Sequence, residues 1–109
     1  MKRSELWTAA GGPGYVGKPR PVLIIQDDRF DENDSITVCP FTSDPTDLPL
    51  FRILIEPAPL NGLRLPSRVM ADKLSTVPRT KLARKIGQLT APEMARVDRA
   101  VLVFLGLAR

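Results

Sequence analysis

A chain of 109 residues, 43% of them apolar, can build one domain with one modest core and is too apolar to remain disordered. No stretch approaches the ~20 apolar residues that span a bilayer, and Met1-Lys2-Arg3-Ser4-Glu5 has no apolar run behind its two cations, so neither a membrane segment nor a signal peptide is expected. The absence of histidine and the single cysteine, Cys39, exclude a Ser-His-Asp triad, a histidine metal site, a disulfide framework and a cysteine zinc site, while sixteen Lys and Arg against twelve Asp and Glu, net +4, mildly favour a polyanionic partner.

Glu5 to Ala10 alternates polar and apolar residues and reads as a first strand. Gly11 to Gly17 is a loop by composition. Gly12, Gly17 and Lys18 fit the frame of a phosphate loop, but Pro19 stands where a magnesium-binding hydroxyl is required and a strand follows where a helix is required. A hairpin connection is the plainer reading, and a flap over a ligand is the functional one.

Lys18-Pro19-Arg20-Pro21 then leads into Val22-Leu23-Ile24-Ile25. Each proline fixes its own φ and pushes the preceding residue towards extended geometry, so Arg20 is expected at the mouth of a buried, β-branched strand with little conformational freedom. That placement suits a site.

Asp27 to Asp34 is acidic and turn-rich but lacks the ligand spacing of a calcium loop. Ser35 to Phe41 is a strand that Pro40 should end, bulge or place at an edge. Thr42 and Ser43 follow. Their hydroxyls either bond local backbone or point into a site beside Arg20. Phe51 to Glu56 reads as a strand, Asn61-Gly62 as a turn, and Leu65 to Asp72 as a short strand ending in an acid. Ser75 to Leu82 is read as holding one helical turn with Pro78 in its first positions. Ala83 to Leu89 is either a last strand or a continuation of that turn.

Thr90-Ala91-Pro92-Glu93 is a capping box. Met94, Val97, Val101, Leu102 and Leu105 are expected on one buried face of the helix that follows, with Gly106 as its stop. The sum is a mainly β domain over 1–109, a small, partly open antiparallel barrel capped by a C-terminal helix.

Ser4-Glu5-Leu6-Trp7, the glycine-rich loop into Lys18-Pro19-Arg20-Pro21, Pro40-Phe41-Thr42-Ser43, Ser67-Arg68-Val69-Met70-Ala71-Asp72 and Ile86-Gly87-Gln88-Leu89 occur in one order along the chain. This ordered set resembles the MazF/PemK family of toxins from type II toxin–antitoxin pairs. The resemblance implies an SH3-like barrel, a homodimer, an endoribonuclease acting on single-stranded RNA without metal or other cofactor, and a cognate antitoxin whose acidic tail covers the site, while the single cysteine suits a reducing compartment, with the cytoplasm as the expected location. It assigns the family's active-site arginine to Arg20, its threonine and serine to Thr42 and Ser43, its N-terminal acid to Glu5 and its later aspartate to Asp72. The arginine that the PemK branch carries two residues before that aspartate is Met70 here. Arg68 is the expected substitute, and Lys18 the expected further contact to substrate.

The chemistry follows from RNA itself. Its 2′-hydroxyl can attack the adjacent phosphate, so a protein need only take that proton, stabilise the crowded phosphate and protonate the leaving oxygen. Arginine suits the phosphate and threonine can donate to it, but neither is a base. By elimination a carboxylate is the expected base, Asp72 first and Glu5 second. The plainer reading of Asp72 is an ion-pair partner for Arg20 or Arg68. Two non-enzymatic alternatives share the fold. A gyrase poison of the CcdB type needs a tryptophan near the C-terminus, whereas this chain ends Leu105-Gly106-Leu107-Ala108-Arg109 and its one tryptophan is Trp7. The other is a barrel that only binds peptide or nucleic acid.

Overall fold

The computed structural model describes residues 1–10 and 18–109, so the glycine-rich segment 11–17 and the flap expected there lie outside it. Strand β1 (Glu5–Ala9) pairs antiparallel with β2 (Arg20–Ile24), Leu6 opposite Leu23 and Ala9 opposite Arg20. Strand β3 (Ser35–Thr42) pairs with β2 along one edge, Val22 opposite Pro40. Along its other edge β3 changes partner. Ser35 to Val38 pair with β6 (Ser75–Pro78), and Phe41 and Thr42 pair with β5 (Ser67–Met70). Pro40 sits in the gap between those two neighbours, where its missing N–H leaves no broken ladder. Strand β4 (Arg52–Ile55) pairs with β5, and β7 (Leu82–Gln88) pairs with β1.

The path β4-β5-β3-β2-β1-β7, with β6 beside β3, is an open seven-stranded antiparallel sheet. The strands bury side chains on both faces. Leu6, Leu23, Cys39 and Phe41 join Met94 and Val97 in one cluster, while Val22, Ile24, Ile36 and Val38 join Leu82 in another. This double burial is why β2 is an unbroken apolar run rather than an alternating one.

Helix α1 (Ala91–Phe104) covers the first cluster. Thr90 caps it, its Oγ1 accepting the Glu93 N–H at 3.3 Å while Glu93 Oε1 accepts the Thr90 N–H at 2.9 Å. Leu89 and Met94, flanking that box, are both buried and staple the entry of the helix to the core. At the other end Gly106 adopts φ 78°, the Gly106 N–H donates to the Val103 carbonyl at 3.1 Å, and the Leu107 N–H donates to the Leu102 carbonyl at 2.8 Å. That is a Schellman stop, open to glycine because φ is positive. The buried stripe is Met94, Val97 and Ala100, with Val101 packed beside it. Leu102 and Leu105, expected on that face, are 41% and 54% exposed. Leu102 lies about 100° around the helix from Val101, and Leu105 caps the end beyond the sheet. No helix among the described residues is long and apolar enough to cross a membrane.

The helical turn expected within Ser75 to Leu82 is a 3-10 segment, Arg79–Lys81, with Pro78 at its N-cap, and the residues before it, Ser75 to Pro78, pair as a strand with the free edge of β3. One further expectation is corrected. Asp72 lies not on a strand but on a 3-10 turn, Ala71–Lys73, that follows β5. There it meets Arg52 at the start of β4. The Asp72 carboxylate accepts from Arg52 Nε at 3.2 Å and Nη2 at 3.1 Å, and both side chains are 15% exposed. This fork ties β4 to the turn beneath α1. The Arg52 hydrogen bonds hold the Asp72 carboxyl below the usual carboxylate range, against a smaller opposing push from burial.

A carboxyl whose folded pKa lies below its unfolded value stabilises the fold above about pH 4, and that contribution is lost as pH falls through the folded value. Asp72→Asn should therefore cost about 1–3 kcal/mol near neutrality by leaving Arg52 half-buried without its charge partner. Urea titrations across pH 2–7 should also show a shallower acid limb in the variant than in the wild type. Equal stability of the two at pH 7 would remove the strut.

Candidate functional site

An open groove of about 830 Å³ runs across the end of the sheet where β2 begins and β3 ends. Arg20, flanked by Pro19 and Pro21, lies on its wall. Thr42 and Ser43 enter from the end of β3, and Arg64 and Leu65 from the loop before β5. Arg84, Lys85 and Ile86 enter from β7. Three consecutive residues of a regular strand cannot share one face. Nor do all three side chains here: β7 slips against β1, Leu6 pairing with Gly87 but Trp7 with Lys85, and Thr8 with Arg84 but Ala9 with Leu82, and between the slips Arg84 and Lys85 alternate as Thr8 and Trp7 do, so Arg84 shares the groove face with Thr8 while Lys85 turns to Glu5. Ile86 and Ala83 are the extra residues of two bulges, which re-aim the side chains around them.

The loop wall is equally fixed. Asn61 is buried, its Oδ1 accepting the N–H groups of Ala58 at 3.1 Å and Leu63 at 2.9 Å, while its Nδ2 donates to the Glu56 carbonyl at 2.9 Å. The expected turn at Asn61-Gly62 forms, with Gly62 at φ 70°. A Cβ on Gly62 would lie 2.2 Å from the Ile86 carbonyl oxygen, and one on Gly87 would lie 2.4 Å from the Asn61 carbonyl carbon. Two glycines thus let the loop and β7 touch backbone to backbone.

The groove is lined by three permanent cations, Arg20, Arg64 and Arg84, and by no carboxylate among the described residues, while Lys85 gives its ammonium to Glu5. Thr42 Oγ1 accepts the Asp44 N–H at 3.1 Å, the local bond its position favours, and its own hydroxyl hydrogen is left to donate. The local bond and a place on the groove are thus compatible at Thr42.

Of the residues singled out in the sequence, Arg20, Thr42 and Ser43 meet on this groove, and Lys18, Arg68, Glu5 and Asp72 do not line it. Lys18 is exposed. Arg68 pairs opposite Thr42 across β3 and β5, but its Nη1 reaches the Asp44 carbonyl at 3.4 Å instead. Asp72 is held by Arg52, the ion-pair role with a different arginine from those expected. Glu5 stands behind the groove. Its Oε1 accepts from the Lys2 N–H and from Trp7 Nε1, each at 2.9 Å, and its Oε2 lies 3.1 Å from Lys85 Nζ. Cys39 is fully buried, and burial pushes its thiol up to about 12, so it is no nucleophile.

Arg64, Arg84 and Lys85 were missed. Arg64 follows the Asn61-Gly62 turn, whose signal marked a bend and not what the bend faces. Arg84 and Lys85 were hidden by the bulges, which no local pattern announces.

Known proteins share this architecture. A family model described as "PemK-like, MazF-like toxin of type II toxin-antitoxin system" matches residues 2–105. A "Probable endoribonuclease MazF" of Mycolicibacterium smegmatis is 56% identical over 108 residues, covering 99% of each chain. The structure of the Mycobacterium tuberculosis toxin MazF-mt6 is 27% identical and superposes with a TM-score of 0.81 over 96% of this chain and 99% of that one. An endoribonuclease in complex with its cognate antitoxin, from a mycobacterial species, shares the fold at 20% identity, with a TM-score of 0.82 over 100% of this chain and 98% of that one. An open seven-stranded sheet capped by one helix, an Arg-Pro strand entry and a match over nearly the whole length lead to one assignment: the chain belongs to the PemK-like, MazF-like toxin family of type II toxin–antitoxin systems.

Proposed function

We propose that this chain is the toxin of a type II pair and an endoribonuclease that cuts single-stranded cytoplasmic RNA at specific sequences, without a metal, through the substrate's own 2′-hydroxyl. The observation that carries this reading is the groove: Arg20, Arg64 and Arg84 line it together with Thr42 and Ser43, and no carboxylate among the described residues does. Such a surface attracts a polyanion and repays it most where charge accumulates, at a phosphate passing through a five-coordinate transition state. The 56% identity to a probable endoribonuclease supports the same reaction.

Arg20 is assigned to the non-bridging phosphate oxygens, with its planar fork of donors. Thr42 donates its hydroxyl hydrogen to the same phosphate, and Ser43 contacts the substrate beside it. The 2′-hydroxyl gives its proton to water and its oxygen attacks phosphorus, the bond to the 5′-oxygen breaks, and that oxygen takes a proton from water, so the fragments carry a 2′,3′-cyclic phosphate and a 5′-hydroxyl. Asp72, first choice for the base by elimination, is assigned instead to the strut with Arg52, since both its oxygens are occupied and it stands off the groove. Catalysis then rests mainly on phosphate stabilisation.

The same charge supports an antitoxin whose acidic tail lies over the groove, the opposite charge being what Arg20, Arg64 and Arg84 would bind. The gyrase-poison alternative finds no support in Trp7, which lies on β1 between β2 and β7 with its Nε1 bonded to Glu5. A homodimer is also proposed. Leu54 of β4, the strand at one end of the sheet path, is 38% exposed, and Phe104, Leu105 and Leu107 at the end of α1 are 47%, 54% and 73% exposed. An apolar patch at an unpaired strand asks for a partner.

A long RNA incubated with the protein in excess EDTA should be cut at a few short sequences, with cyclic-phosphate and 5′-hydroxyl ends. Arg20→Ala should fold normally and turn over about 10²-fold more slowly, the scale of losing one oxyanion donor. Intact RNA in EDTA, or wild-type turnover by folded Arg20→Ala, would end the assignment. Sedimentation at micromolar concentration should give a dimer, and a monomer throughout would dismiss the proposed interface.

A further inference from the structure

We propose that Arg64 and Arg84 form a two-arginine grip on RNA phosphates that flank the one being cut. This deepens the nuclease reading, which gives the scissile phosphate to Arg20, and rests on it. Arg84 reaches the groove by register. Pro21, Thr8 and Arg84 stand in one row across β2, β1 and β7, and all three line the groove. Two strand spacings, roughly 10 Å, thus separate the backbone of Arg84 from that of Pro21, the neighbour of Arg20. That separation offers Arg84 a neighbouring phosphate rather than the one given to Arg20. Arg64 reaches the groove from a pinned loop. Asn61 is buried, Leu63 packs on the core, and Gly62 lies against the Ile86 carbonyl. Gly62 is two residues before Arg64 and Ile86 two after Arg84, so the two arginines are carried on backbones that touch.

The fold makes no use of either guanidinium. Both residues are exposed, and among the described residues neither side chain has a hydrogen bond, an ion pair or a ring contact. Other arginines of the sheet and its turns are engaged: Arg52 by Asp72, Arg68 by the Asp44 carbonyl and Arg79 by Asp31. The segment 11–17 holds only Gly, Pro, Tyr and Val, so it brings no acid to pair with them. Like charges gathered in one cleft without counter-charges repel one another and cost the fold stability, while the same arrangement focuses the field on an incoming polyanion. A planar fork of donors then matches phosphate oxygens. Arg99 is the contrast. It is exposed and equally without a partner among the described residues, but it lies on α1 and lines a separate groove with Leu50 and Ile53.

Because both side chains are exposed and unpaired, Arg64→Met and Arg84→Met should fold as the wild type does. The probe is a short RNA with one 2′-deoxy sugar at the cut site, so that binding is read without cleavage. Each variant should weaken binding about 5-fold at 0.1 M salt and lower the salt slope by about 0.7, the share of one phosphate contact on a single strand. The double variant should lower the slope by about 1.4. Arg99→Met removes the same charge from the other groove and should keep the wild-type slope. The contact itself is read by replacing single phosphates of the probe with neutral methylphosphonate. At one flanking position the replacement should weaken the wild type about 5-fold and leave Arg84→Met unchanged, and a second position should do the same for Arg64→Met. In the cleavage assay both variants should raise KM more than they lower kcat. Additive losses at every position, a wild-type slope in either groove variant, or an equal loss of slope in Arg99→Met overturns the proposal. So does a wild type that fails to bind the probe. Should these results appear while all-ribose RNA is cut, the grip falls and the nuclease reading stands. Should the predicted couplings appear while all-ribose RNA is never cut, the grip stands and the nuclease reading falls.

Discussion

Strand β7 meets β1 with two one-residue slips, and its backbone then lies against the 58–64 loop so closely that only glycine fits at two positions. That contact holds three walls together: Arg20 at the start of β2, Arg64 on the clamped loop and Arg84 on β7. None of these arginines lies on a flexible tail, so their charge is organised before substrate arrives, and preorganised charge is what lowers a barrier.

That organisation changes the balance between acid–base and electrostatic catalysis. Chemistry by elimination asks for a carboxylate base, yet both candidate carboxylates are committed elsewhere, Asp72 to Arg52 and Glu5 to Lys2, Trp7 and Lys85. The acids that remain near the groove serve its frame rather than its floor. A cationic groove free of acids also fits a toxin that a partner must silence, because the field that draws RNA draws an acidic peptide as well.

Much of this was legible in the sequence. The proline-bracketed Arg20, the buried run Val22 to Ile24, the strand through Thr42 and the capping box at Thr90 each carry a local cause, and each appears where that cause put it. What was hidden has a non-local cause. Asp72 looked like the end of a strand because nothing nearby in sequence reveals Arg52, twenty residues earlier, waiting to pair with it. The strand at Ser75 to Pro78, ahead of the expected turn, was not legible because the β3 edge that it pairs with is supplied from another part of the chain. Leu102 and Leu105 matched a helical period that outlasts the sheet beneath them. Arg84 and Lys85 were lost to bulges.

The central claim is that the groove speeds a reaction whose nucleophile belongs to the RNA. Single-turnover cleavage of an RNA with one sugar changed to 2′-deoxy, immediately before the cut, measures this directly. The account predicts no cleavage at that position in excess EDTA, with binding weakened less than two-fold because the phosphate contacts are intact. Cleavage of the deoxy-substituted strand at a rate near that of the all-ribose strand would contradict it.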